Sequence, residues 1–133
     1  KIEFVDPENH LILLSYATGS EDSSFAVYDY KNDILYKNIG VASIGNTSVP
    51  EAFIGTDKLL MWNFGEGDGS GITKGDLTIQ NFNNKIIKTV LINTPVREVY
   101  SKYGKIINID TNGHDSGHFT LDTETLELSP WKR

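Results

Sequence analysis

The sequence predicts an all-β fold made of three consecutive four-stranded antiparallel repeats, and three observations predict it. Three apolar strands, Leu11-Ile12-Leu13-Leu14, Leu59-Leu60-Met61-Trp62 and Ile106-Ile107-Asn108-Ile109, begin 48 and 47 positions apart. A polar loop rich in Gly, Ser or Asp follows each of them, over roughly 18–24, 65–75 and 111–117. After each loop comes a hairpin whose turn starts with Asp29, Asn81 or Asp122. A fixed period of this size marks a repeat architecture, in which a unit buries its apolar face by stacking on the next.

Each element can be justified in order. The outgoing hairpin arms are Phe25-Ala26-Val27-Tyr28, Leu77-Thr78-Ile79-Gln80 and Phe119-Thr120-Leu121. The return arms are Ile34-Leu35-Tyr36, Ile86-Ile87-Lys88 and Leu126-Glu127-Leu128. Both sets are β-branched or aromatic and roughly alternating, as half-buried strands require. A short Asp or Asn side chain at the end of the outgoing arm can accept backbone N–H bonds two residues on and start the turn. Shorter segments at 2–5, 52–54 and 96–100 supply the first strand of each unit. Two of these also carry a helical signal. Ser48-Val49-Pro50-Glu51 has the form of a capping box with Gly55 as its stop, and Val96, Val99, Tyr100 and Tyr103 are helically spaced. The threefold alignment favours strands, and a plain antiparallel meander with chance spacing is the competing arrangement.

The 133 residues fit a single domain, 1–133, with repeats at approximately 1–40, 48–92 and 95–131. Eighteen acidic against twelve basic side chains give a formal net charge of -6. That sign excludes a nucleic-acid partner, which needs a positive surface, and suits a basic protein partner. The chain has no cysteine, which points to a reducing compartment and a cytoplasmic location. The longest apolar stretch, 11–14, cannot cross a bilayer, so no membrane partner is expected. No leader is visible. The chain starts at Lys1 rather than Met, which leaves a removed leader open, although a complete small protein is the expectation.

Catalytic patterns are weak. His114-Asp115-Ser116-Gly117-His118 puts two histidines at metal-ligand spacing, with Asp110 and Asp115 near, but across a Gly-containing loop rather than a helix. It reads as a solvated turn. Gly65-Glu66-Gly67-Asp68-Gly69-Ser70-Gly71 resembles Asp/Gly calcium loops, yet lacks the Glu of an EF-hand and the Lys-Ser pair of a phosphate loop. It reads as a hairpin loop. Ser70 lacks the flanking glycines of a nucleophile elbow, and pairs such as Glu21-Asp22 lie in loops without an apolar pocket to raise one pKa. No enzyme activity, cofactor or metal is expected.

Four strands per unit, a period in the forties and an Asp/Asn-headed outer hairpin resemble the blades of β-propellers. The resemblance spans nearly the whole chain, without a WD or kelch pattern. Three blades cannot close a ring, so the resemblance implies an open half β-propeller whose end blades keep an uncovered flank. It also implies that the loops between second and third strands emerge on one rim. Those loops carry Glu21, Asp22, Glu66, Asp68, Asp76 and Asp115, with Lys74 their one basic residue. Tyr16, Trp62 and Phe64 stand at the ends of the second strands and could anchor a partner, or could pack between blades. By size, charge and architecture the chain resembles immunity proteins of bacterial contact-dependent growth inhibition systems, which neutralise cognate toxins. The function this implies is an acidic inhibitor that covers a basic, nuclease-type toxin. The alternative is a structural or adaptor half-propeller that dimerises, or that binds calcium at the cell surface.

Overall fold

The computed structural model describes residues 1–65, 72–111 and 117–130. Its strands are β1 (Ile2–Asp6), β2 (Leu11–Ala17), β3 (Ser23–Asp29), β4 (Ile34–Ser43), β5 (Asn46–Ile54), β6 (Lys58–Gly65), β7 (Gly75–Asn81), β8 (Ile86–Thr94), β9 (Val96–Val99), β10 (Ile106–Thr111), β11 (His118–Asp122) and β12 (Leu128–Pro130). No helix occurs among the described residues. Strands β1 to β8 make one eight-stranded sheet in sequence order, and β9 to β12 make a four-stranded sheet.

The chain is therefore all-β, but its hydrogen bonds do not separate three four-stranded sheets. Pairs Val41–Ser48, Ala42–Thr47 and Ser43–Asn46 join β4 to β5, so the first two expected repeats share one sheet. The cause lies in β4, which runs on to Ser43 and returns through the tight turn Ile44-Gly45. The segments with a helical signal are strands. Ser48 and Glu51 lie inside β5, which pairs with β6 from Asn46–Gly65 to Ile54–Lys58. A ladder against a buried neighbour outweighs a local cap. Pro50 sits where the β5–β6 register shifts, a position at which a missing N–H is tolerated.

Four of the strand-connecting turns are built on short polar side chains. Asp29 accepts from the amides of Lys31 (3.1 Å) and Asn32 (3.0 Å). Asn81 accepts from Asn83 (2.9 Å), and Asp122 from Glu124 (2.8 Å) and Thr125 (3.0 Å). The expected turn chemistry is thus present at all three hairpins. Asp6 repeats it between β1 and β2, accepting from Glu8 (3.0 Å) and Asn9 (3.2 Å).

The large sheet folds back on itself. Phe4 of β1 and Phe53 of β5 are four strands apart along the ladder, about 19 Å in a flat sheet. Their ring centroids nevertheless lie 5.3 Å apart. The half β1–β4 thus faces the half β5–β8 across a first core of Leu11, Leu13, Val27, Ile39, Phe53, Leu59 and Met61. A second core lies on the other side of β5–β8. There Ala52, Ile54, Leu60, Leu77 and Ile79 meet Val99, Ile107, Ile109 and Leu121 of the four-stranded sheet. Adjacent residues of β6 serve different cores, Leu59 and Met61 the first and Leu60 the second, because side chains alternate across a strand. Strand β6 is consequently apolar on both faces, which explains the unbroken Leu59-Leu60-Met61-Trp62 run. Backbone bonds tie the second sheet in: the Phe53 amide donates to the Lys102 carbonyl at 2.8 Å.

Candidate partner-binding rim

The strand ladder decides which loops share an end of the molecule. Ser23 pairs with Ala42, Ser43 with Asn46, Asn46 with Gly65, and Gly75 with Thr94. The starts of β3, β5 and β7 and the ends of β2, β4, β6 and β8 therefore lie along one edge. Thr94 leads through Pro95 into Val96, which pairs with Thr111, so the end of β10 joins the same edge. The 18–22, 44–45 and 72–74 segments project from it.

On this edge Glu21 and Asp22 are exposed, and the loop is closed by the Thr18 amide donating to the Asp22 carbonyl at 2.9 Å. Asp76 is half-buried at the start of β7 and accepts from the Asn93 amide at 2.8 Å, so one of its oxygens is already used in the fold. Glu66, Asp68 and Asp115 lie outside the described residues, as do His114 and most of the Gly/Asp loop. Lys74 is exposed.

The aromatics divide. Trp62 and Phe64 stack against each other with ring centroids 4.4 Å apart, and Trp62 packs on the margin of the second core. Its indole N–H is buried without a partner among the described residues. Tyr16 points away from this pair. Its hydroxyl donates to Asn38 Oδ1 at 2.9 Å, and its ring lines a cleft on the outer face of β1–β4.

A polar ladder holds strands β5, β6 and β7 in register at this edge. Asn63 of β6 donates to Thr78 Oγ1 of β7 at 2.8 Å and accepts from the Ser48 hydroxyl of β5. Gly75 allows the close approach of β6 and β7 here, because a Cβ at that position would stand 2.2 Å from the Asn63 carbonyl oxygen.

Sequence reasoning missed the apolar residues of this edge. Ile44, at the tip of the β4–β5 turn, is 75% exposed, and Ile92, near the end of β8, is 73% exposed. Ile72, just ahead of β7, is 50% exposed. The available signal was an isoleucine next to the glycine of a turn, at Ile44-Gly45. It carried no weight without knowing that β4 and β5 pair.

A second polar group lies on the four-stranded sheet, near the end of β10 that joins this edge. Asp110 is 2% exposed. Tyr100 donates to it at 3.2 Å, Arg97 stands 3.6 Å away and His118 Nδ1 3.5 Å away. Partial desolvation, then the hydrogen bond to this carboxylate, raise the Tyr100 hydroxyl above its ordinary value. A cleft of about 290 Å³ opens beside Tyr100, Asn108 and His118. A third cleft, of about 360 Å³, runs between Phe4, Val49, Glu51 and Lys102. Burial pushes the Glu51 carboxyl up, while Lys102, 3.8 Å away, pulls it back. No group of three or more potential metal ligands occurs among the described residues.

Compared with family models, curated proteins and solved structures, the chain matches none.

Proposed function

We propose that this chain is an acidic protein-binding inhibitor, of the kind represented by immunity proteins, and that it neutralises a basic, nuclease-type toxin through its loop rim in the bacterial cytoplasm. The observation that carries this reading is the composition of the rim. Exposed Ile44 and Ile92 lie on the same edge as the carboxylates Glu21 and Asp22, in a chain of net charge -6. Protein interfaces join an apolar centre, which supplies affinity, to a charged margin, which steers the encounter. A carboxylate margin would take the place of nucleic-acid phosphates on a cationic nuclease. In the finer fold reading, the layers β1–β4, β5–β8 and β9–β12 are three blades of an open half-propeller, with β4–β5 pairing where the first blade meets the second. The rim is then the propeller face that collects one loop set from each blade.

The test is capture of the product of the neighbouring gene by the chain, followed by titration of the pair at rising salt. Affinity should fall as salt screens the rim. Reversing Glu21 and Asp22 together to Lys should slow association about tenfold or more and flatten the salt dependence, with the melting temperature almost unmoved. Binding that ignores both salt and this double reversal sinks the inhibitor reading.

A further inference from the structure

The cleft of about 360 Å³ opens where the three layers meet, and is lined by Glu3 and Phe4 of β1, Phe25 of β3, Val49 and Glu51 of β5, and Lys102. Both carboxylates reach it from irregular points in the ladder. Ile2 faces Leu14 and Phe4 faces Leu13, so Glu3 is an extra residue in β1. Pro50 faces Met61 and Ala52 faces Leu60, so Glu51 is an extra residue in β5. An inserted residue of this kind re-aims its side chain, and such bulges cluster beside functional sites. The first strands of two different layers therefore deliver one carboxylate each to the same cleft.

Neither carboxylate is used up by the fold. Glu3 accepts from the Ser15 hydroxyl at 2.7 Å and has Lys1 at 4.0 Å, both on Oε1. Glu51 has Lys102 at 3.8 Å on Oε2. The second oxygen of each has no partner among the described residues. The Lys102 ammonium also stands 5.5 Å from the centroid of the Phe4 ring, the arrangement of a cation over an aromatic face. The chain thus seats an alkylammonium of its own in the cleft, and seats it loosely. The main chain of Lys102 is pinned by the Phe53 amide, which donates to its carbonyl at 2.8 Å. From that anchor the ammonium stops short of the ~2.7–2.9 Å of a close charged hydrogen bond, and its side chain stays 38% exposed.

From these contacts we propose that the cleft binds an alkylammonium group, and that Lys102 is a built-in occupant which an incoming alkylammonium displaces. An untethered ammonium can close on the Glu3 and Glu51 oxygens while its methylene stem lies along Phe4, Phe25 and Val49. The apolar walls select against a metal ion. A hard cation such as calcium takes ~6–8 oxygen ligands, and no group of three or more potential metal ligands occurs among the described residues. The burial that raises Glu51 makes this carboxylate costly to the fold, and perturbed carboxylates in clefts concentrate at functional sites. The site uses none of the rim residues, so it stands or falls independently of the inhibitor reading.

The experiment is an NMR titration of the whole chain with n-butylammonium chloride, following the ring protons of Phe4 and Phe25, for wild type, Lys102→Met and Glu51→Gln. Wild type should show saturable shifts in both rings. Lys102→Met removes the competing ammonium, keeps the apolar stem and leaves the main-chain bond to Phe53 in place, so it should bind about tenfold more tightly. Glu51→Gln, a neutral side chain of the same shape, should bind about tenfold more weakly or not at all. Nα-acetyl-lysine methylamide carries the same ammonium on a peptide unit. Binding of both probes supports a lysine side chain of another protein as the source, and binding of n-butylammonium alone supports a free amine. Absence of shifts in both wild type and Lys102→Met overturns the proposal, as does equal affinity in all three proteins. Shifts produced by calcium chloride but not by the amine assign a metal ion instead and overturn it too. Should Lys102→Met lose its fold, Lys102→Gln takes its place, and its affinity must also rise.

Discussion

At the scale of single residues, the hairpins depend on acceptor side chains that act locally. Asp29 is held below the ordinary carboxylate value of 3.8, first by the Asn32 side chain and then by backbone amides. Asp122 is held below it by the amides of Thr125 and Glu124. With folded values below unfolded ones, this contribution is complete above the unfolded value and is lost as pH falls through the folded value. Asn81 makes the same turn with an amide oxygen that does not titrate in this range. The double variant Asp29→Asn/Asp122→Asn should therefore lose stability less steeply below pH ~4 than wild type. Urea midpoints taken across that range check it, and parallel profiles would refute it. Glu51 has the opposite sign, because burial raises its folded value. Its contribution is present below the unfolded value and disappears as pH rises through the folded one. Glu51→Gln should then stabilise the protein at neutral pH, by up to about 1 kcal/mol, and lose that advantage in acid. Leu126 shows a local cost accepted for packing. It adopts φ 62, a left-handed conformation costing about 1–2 kcal/mol for such a residue, while its side chain packs on the second core.

At the scale of elements, β4 is where the chain turns from one half of the large sheet to the other. Its register against β3 shifts twice, and Asn38 and Gly40 both have positive φ, at 59 and 64. A Cβ on Gly40 would stand 2.3 Å from the Ser48 carbonyl oxygen and 2.9 Å from Met61 Cε. Gly40→Ala therefore meets backbone strain and a clash with β5 together. It should cost about 2–4 kcal/mol, read as a lower urea midpoint, whereas an alanine at the open position Gly55 should cost about 1 kcal/mol from its positive φ alone. This contrast also explains what was legible in the sequence. The Asx turns and the apolar strands were readable because each signal lies within a few residues: Asp29 bonds amides two and three positions on. The joining of β4 to β5 was not readable. It depends on a positive φ at Gly40 and on Ser48 meeting Val41 across a turn, neither of which leaves a periodic trace. The rim isoleucines were missed for the same reason, since Ile44 becomes a rim residue only once that turn is known.

At the scale of the whole molecule, the middle layer makes the fold one cooperative unit. Strands β6 and β7 are flanked on both sides within the sheet and covered on both faces, by β1–β4 and by β9–β12. Neighbouring residues of β6 then offer a way to perturb one core at a time. Leu60→Ala opens a cavity in the second core and Met61→Ala one in the first, each at a cost of about 2–5 kcal/mol. Because both cores rest on the same strands, either substitution should lower a single thermal transition instead of splitting it. Hydrogen exchange gives the sharper reading. In the wild type the slowest amides should lie in β6 and β7, and the fastest at the edge strands β1 and β12. Leu60→Ala, although it touches only the second core, should speed exchange of the slow amides of β2 and β3 across the first, since their protection comes from global opening. Unchanged exchange in β2 and β3 would mean that the four-stranded sheet opens by itself and that the middle layer does not couple the two cores.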